Sequence, residues 1–228
     1  MSTLTNVDTR GDGAASPSGG FTSVSTSGTG MSKAGESVRY ALDPRKKWHV
    51  LRATYGRAQQ VYDYIIHDGL DTDAYLAMRY VKKVKNGKSK RIQVPLIPGI
   101  IFVYCTEEEI ETYVKDTPAL CFVHYYYNHL ITYPDGTNPP LKVSYSQMMN
   151  FIKATSVDDE HIQLIDEKYV KYESGDWVKV IDGKFAGITG RVARAAGQQR
   201  VIISLDGVAL VATAYIPTAF LEKIEIDN

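Results

Sequence analysis

Cysteine is scarce in this sequence: two in 228 residues, Cys105 and Cys121. Two thiols cannot build a framework of several bridges, so a cytoplasmic protein with reduced thiols is the simplest expectation. The pair has no CxxC spacing, and His49, His67, His124, His129 and His161 form no ligand pattern, so no metal site is predicted. No apolar run reaches about 18 residues, and no membrane contact is expected. The start lacks the basic residues and apolar stretch of a secretory signal. A surplus of charge is also missing, with 26 Lys and Arg against 26 Asp and Glu. Nothing global then points to nucleic acid, and any such signal must be local. GxxxxGK[ST], GxGxxG and GxSxG are absent. The acidic run Glu107-Glu108-Glu109 falls at a predicted helix start, where capping and solvation account for it. The sequence offers no catalytic constellation and calls for no cofactor, so an enzyme is not expected.

What is present divides the chain. The first 30 residues are dominated by Ser, Thr and Gly. Such a segment cannot bury enough surface to offset its ordering entropy. Met1 to about Leu42 therefore reads as a disordered tail, with Met31 as an alternative start. Order is predicted from Pro44. Trp48 to Ala53 reads as a strand that Gly56 breaks. Ala58, Val61, Ile65 and Ile66 then recur at helical spacing. Ala74, Leu76, Met78 and Tyr80 alternate on one strand face, and Asn86-Gly87 signals a tight turn into Arg91 to Leu96. Gly99 to Tyr104 is a nearly continuous apolar strand, expected in the centre of a sheet. A helix over Glu107 to Lys115, a strand over Phe122 to Tyr127 and a helix over Tyr145 to Ala154 follow. This order predicts a mixed α/β sandwich with helices packed on one side of a sheet. The charged stretch Ser156 to Lys168 reads as a linker. Beyond it, short strands at Val178 to Val180, Gly190 to Val192, Val201 to Leu205 and Val208 to Ala214 suggest a small barrel. Turn residues at Asp182-Gly183, Ala196-Gly197 and Asp206-Gly207 separate these strands.

One charge signal is local. Arg79, Lys82, Lys83, Lys85, Lys88, Lys90 and Arg91 crowd around Asn86-Gly87 with no acidic residue among them. Such a hairpin suits phosphate contact. The competing reading is a solvated hairpin that lysines keep from aggregating. The aromatic run Phe122 to Tyr127 has the residue types for base stacking, but alternation sends part of it into the core.

Two segments resemble a known family. Gly175 to Val192, written GDWVKVIDGKFAGITGRV, resembles the KOW motif of NusG proteins. Lys47-Trp48-His49-Val50-Leu51 followed by Gly56 resembles the opening strand of the NusG N-terminal (NGN) domain. Leu96-Ile97-Pro98-Gly99-Ile100-Ile101-Phe102-Val103 resembles that domain's second signature. Thr117-Pro118 before Phe122-Val123 fits as well. Arg52 to Arg57, Leu96 to Pro98 and Tyr172 to Gly175 look more like specialised paralogues, the UpxY antiterminators of Bacteroidetes polysaccharide operons.

The resemblance implies an α+β protein: a tail over 1–42, a mixed α/β sandwich NGN domain over 43–155, a linker over 156–171 and a small SH3-like KOW β-barrel over 172–228. It implies a cytoplasmic, monomeric transcription elongation and antitermination factor. An apolar patch at Ile97, Ile100, Phe102, Phe122 and Tyr125 would grip the clamp helices of the largest RNA polymerase subunit. The basic hairpin would meet upstream DNA or nascent RNA. Phe185 and Ile188 would present the KOW domain to Rho or a ribosomal protein. Ile188 stands where the family often has Phe, which weakens the case for Rho. The β-branched KOW strands predict a stable barrel without a switch to helix. A housekeeping NusG that assists Rho, and a ribosome-associated KOW RNA-binding protein, are the rival expectations.

Overall fold

The computed structural model describes residues 39–85, 87–157, 161–166, 176–195 and 198–225. The expected tail through residue 38, Asn86, the acidic run 158–160, the segment 167–175 and the turn 196–197 lie outside the described residues. β1 (Lys47–Ala53) leads through a short 3-10 turn into α1 (Ala58–Ile65). Next come β2 (Asp73–Tyr75), β3 (Met78–Lys85), β4 (Lys88–Pro95) and β5 (Ile100–Cys105). α2 (Glu107–Glu111), β6 (Val123–Tyr125), β7 (Lys142–Val143) and α3 (Tyr145–Thr155) follow. β8 (Gln163–Ile165), β9 (Trp177–Val180), β10 (Thr189–Ala195), β11 (Gln198–Leu205), β12 (Ala209–Tyr215) and β13 (Leu221–Lys223) form the C-terminal part.

The first sheet runs β2-β5-β1-β6, with β7 also paired to β1. All six residues of β5 are buried, which is why its sequence does not alternate. Helices cover both faces of this sheet, not the single face expected. Leu51, Ala53, Ile101, Val103 and Cys105 pack with Ala58, Val61 and Ile65 of α1 and Ile110 of α2. Trp48, Val50, Ile100, Phe102 and Tyr104 pack with Met148, Phe151 and Ala154 of α3. The period-2 alternation of β1 assigns its side chains to the two layers. The Pro98-Gly99 turn is bound to β1, because the Ala53 amide donates to Gly99 O at 2.8 Å. Gly99 has φ +73°, and a Cβ there would lie 3.0 Å from Ala53 O, so glycine is required. Thr106 caps α2: its Oγ1 accepts from the Glu109 amide at 3.3 Å, and its own amide donates to Glu109 Oε2 at 2.8 Å.

Order begins earlier than Pro44. Tyr40 is buried, stacks edge-on against Trp48 at 5.2 Å, and donates its hydroxyl to Ala74 O. The stretch expected as one strand over 74–80 is broken at Leu76-Ala77. Its halves join different sheets, because among the described residues β3 pairs with β4 alone, in a separate ribbon.

The C-terminal sheet is antiparallel, in the order β13-β9-β10-β11-β12-β8. Among the described residues no pairing joins its two edge strands, so it is an open path where a closed barrel was expected. β8 comes from the stretch expected as linker and pairs with β12. Val178, Val180, Val192, Val201, Ile203 and Val211 face inward, and they share one core with α3 and the first sheet. α3 therefore carries apolar contact to both sheets, and the described residues from Arg39 onward pack as one unit.

Candidate functional site

The β3–β4 ribbon has an unusual charge pattern. Its register sets Lys82 against Arg91, Lys83 against Lys90 and Lys85 against Lys88. Like charges directly opposite destabilise a ribbon, and a two-stranded ribbon is marginal by itself. From Lys82 to Arg91 every described residue is exposed, Val84 included. All seven cations expected here, Arg79, Lys82, Lys83, Lys85, Lys88, Lys90 and Arg91, lie on this ribbon. Alternation places Arg79, Lys83, Lys85, Lys88 and Lys90 on one face and Lys82 and Arg91 on the other. The Arg91 guanidinium lies 3.8 Å from the centre of the Tyr80 ring. Gly87 turns the ribbon at φ +73°.

The expected apolar patch is not assembled on the surface. Phe102 is 1% exposed, under Phe151 of α3 with ring centres 5.4 Å apart, and Ile100 is buried on the same face. Phe122 is buried in the opposite layer, and Tyr125 packs half-buried beside that layer. Ile97 is half-buried toward the α3 side. The reason is the double cover of the sheet: an apolar residue on β5 meets a helix whichever way it points.

Sequence reading missed what stands at that end of the sheet. Tyr55 is 89% exposed with φ 57°, a left-handed conformation that is costly for a bulky residue. The Arg57 guanidinium sits 3.7 Å from the Phe122 ring centre and 5.3 Å from that of Tyr55. The Thr54 hydroxyl and amide both donate to Phe122 O, and Ala53 is bound to Gly99. Tyr55, Arg57 and Phe122 thus gather at one sheet end. A second exposed apolar segment follows β6: Tyr127, Leu130, Ile131 and Tyr133. Asn138 Nδ2 donates to Ile131 O at 2.6 Å and holds this loop. The available signal was Leu130-Ile131, aliphatic residues inside a turn-rich stretch.

Phe185 and Ile188 of the C-terminal loop are both buried, Ile188 completely. A Cβ at Gly187 would collide with the Lys153 Nζ of α3, so this loop lies against α3. Asn150 of α3 bonds both ways with the Thr189 backbone, and Gln147 Nε2 donates to Asp206 Oδ2 at 2.8 Å. Beside these contacts a cleft of about 530 Å³ opens between α3 and the outer face of the sheet, lined by Asn150, Trp177, Arg191 and Ile202 among others.

His49 and Cys105 are buried titratable groups of the first sheet. His49 is 1% exposed. Burial pushes its pKa down from 6.5 to about 4, against the pull of Glu107. Burial also pushes the Cys105 thiol well up. Among the described residues no three His, Cys, Asp or Glu side chains gather as a metal site, and no helix is long and apolar enough to cross a membrane. The arrangement offers surfaces for binding: a cationic ribbon, an aromatic sheet end and a loop held against α3.

Residues 46–135 match the family described as transcription termination factor NusG. The match takes in the first sheet from β1 to β6, both of its α1 and α2 helices, and the ribbon. It stops before α3 and the C-terminal sheet. A search of curated proteins gives no match. The family match supports a NusG-type domain in this part of the chain, and a transcription elongation or termination factor in general.

Proposed function

We propose that the protein is a transcription elongation and antitermination factor that binds RNA polymerase at the clamp helices of its largest subunit. The match over residues 46–135 carries this reading. The contact moves from the buried Phe102 to the sheet end, where Tyr55 is exposed and the Arg57 guanidinium lies between it and Phe122. Apolar burial at about 25 cal/mol per Å² lets a few such side chains supply several kcal/mol before association costs. Exposed tyrosines are frequent interface anchors. The basic ribbon contacts nucleic acid at the upstream edge of the transcription bubble. The C-terminal sheet acts as a KOW-type recruiting module. Its loop residues Phe185 and Ile188 reach a partner only when the loop parts from α3. In this reading the factor is cytoplasmic and monomeric, performs no catalysis, and is a UpxY-type paralogue serving one class of operon.

The matching family is described as a termination factor, so a housekeeping role that assists Rho is the second reading. A single-round transcription assay with cognate polymerase, on a template with a pause and a terminator, separates the two. Antitermination predicts read-through that rises with added protein, and the second reading predicts earlier release with Rho. If saturating protein neither associates with polymerase nor alters pausing or release, both readings fail.

A further inference from the structure

We propose that the β3–β4 ribbon enters the major groove of duplex DNA and touches both phosphate walls. The inference rests on the reading of the ribbon as a nucleic-acid contact and names the form and groove it takes.

The first support is the placement of charge on both faces. Lys83, Lys85, Lys88 and Lys90 point one way, Lys82 and Arg91 the other. A ribbon lying flat on one backbone has no use for cations on its far side. A ribbon between two backbones uses both. The second support is cost. Three like-charged pairs stand directly opposite one another in an exposed ribbon with no acidic residue in it. Each pair opposes folding, and a polyanion on each side relieves that repulsion.

Dimensions fit as well. The exposed part, Lys82–Lys85 with Lys88–Arg91, extends about 13 Å at roughly 3.3 Å per residue. The major groove of B-DNA is about 12 Å wide and about 8.5 Å deep and admits a two-stranded ribbon, whereas the A-form RNA major groove is too narrow. Single strands are bound on exposed aromatic platforms. The outer ribbon has no aromatic residue, and Tyr80 at its base lies under Arg91.

The test uses the full chain, a short mixed-sequence DNA duplex and each of its separate strands, at several salt concentrations. The duplex is expected to bind tighter than either strand. Lys83→Gln with Lys90→Gln, and separately Lys82→Gln with Arg91→Gln, are each expected to weaken duplex binding on the order of tenfold or more and to lower the salt slope by about 2. Circular dichroism verifies that these exposed substitutions leave the fold intact. A second measurement needs no variant: bound protein is expected to shield guanine N7, a major-groove atom, from dimethyl sulfate. Equal or tighter binding to single strands, an unchanged affinity in the Lys82/Arg91 variant, or unshielded N7 on bound duplex overturns the groove proposal alone. No binding to any of these nucleic acids at low salt overturns the underlying reading of the ribbon too.

Discussion

Asn150 on α3 and Thr189 at the start of β10 hold each other through two hydrogen bonds. Asn150 Nδ2 donates to Thr189 O at 2.6 Å, and the Thr189 amide donates to Asn150 Oδ1 at 2.9 Å. One side chain therefore satisfies both backbone groups at the start of a strand, and it does so from α3. Asn150→Leu is expected to cost about 1–3 kcal/mol, because a partly buried amide and carbonyl lose their partners. Urea unfolding of wild type and variant measures it. An unchanged midpoint and slope is the outcome that contradicts the contact.

Gly190→Ala tests the packing of the C-terminal sheet. A Cβ at this position would sit 2.6 Å from Val201 Cγ1 and closer still to Ile202 O. Backbone cannot yield as a side-chain tip can, so a loss of at least about 3 kcal/mol or failure to fold is expected. Expression yield and thermal unfolding report it.

Acid should weaken the fold through His49. The unfolded imidazole titrates near 6.5, and burial holds the folded one near 4. Both states are neutral above 6.5, so the group has no effect there. Between 6.5 and 4 only the unfolded state takes a proton, and stability falls as pH falls, to a total of about 3 kcal/mol. Glu107, with Lys47 and Lys142 around it, faces this region and moderates the slope. His49→Phe is expected to flatten that part of the stability profile in chemical unfolding at stepped pH.

Tyr55 should separate stability from binding. Its φ of 57° strains a tyrosine but not a glycine. Tyr55→Gly is expected to leave stability unchanged or raise it by up to about 1 kcal/mol. The same change should weaken capture of polymerase. Melting curves and a pull-down on one preparation decide it, and a loss of stability with full polymerase binding would refute both halves.

The two thiols should differ sharply. Cys105 is buried and Cys121 exposed. Ellman's reagent is expected to label one thiol quickly in the folded chain and the second only on unfolding. Rapid labelling of both would place Cys105 outside the core.

Much of the fold was legible because local patterns carry it. The helical spacing of Ala58, Val61 and Ile65, the unbroken apolar run of β5 and the alternation of β9 reproduce the burial of those elements. The cationic hairpin was also legible, since its charges crowd within one turn of chain. The break between β2 and β3 was not, because Leu76 and Ala77 continue an alternation that the path of the chain abandons.

The sequence by itself pointed to a Trp-led strand, a Pro-Gly turn and a central apolar strand in one sheet, and to a hairpin crowded with cations. Backbone preference and apolar periodicity are local properties, and they act before any tertiary contact forms. Tertiary structure alone decided that Phe102 faces α3 and not solvent, that Ile188 is covered, and that Tyr55 stands out at the sheet end. An apolar side chain carries the same signal whether it meets its own core or a partner. Only the layer laid over it, here α3 on one side and α1 with α2 on the other, settles which.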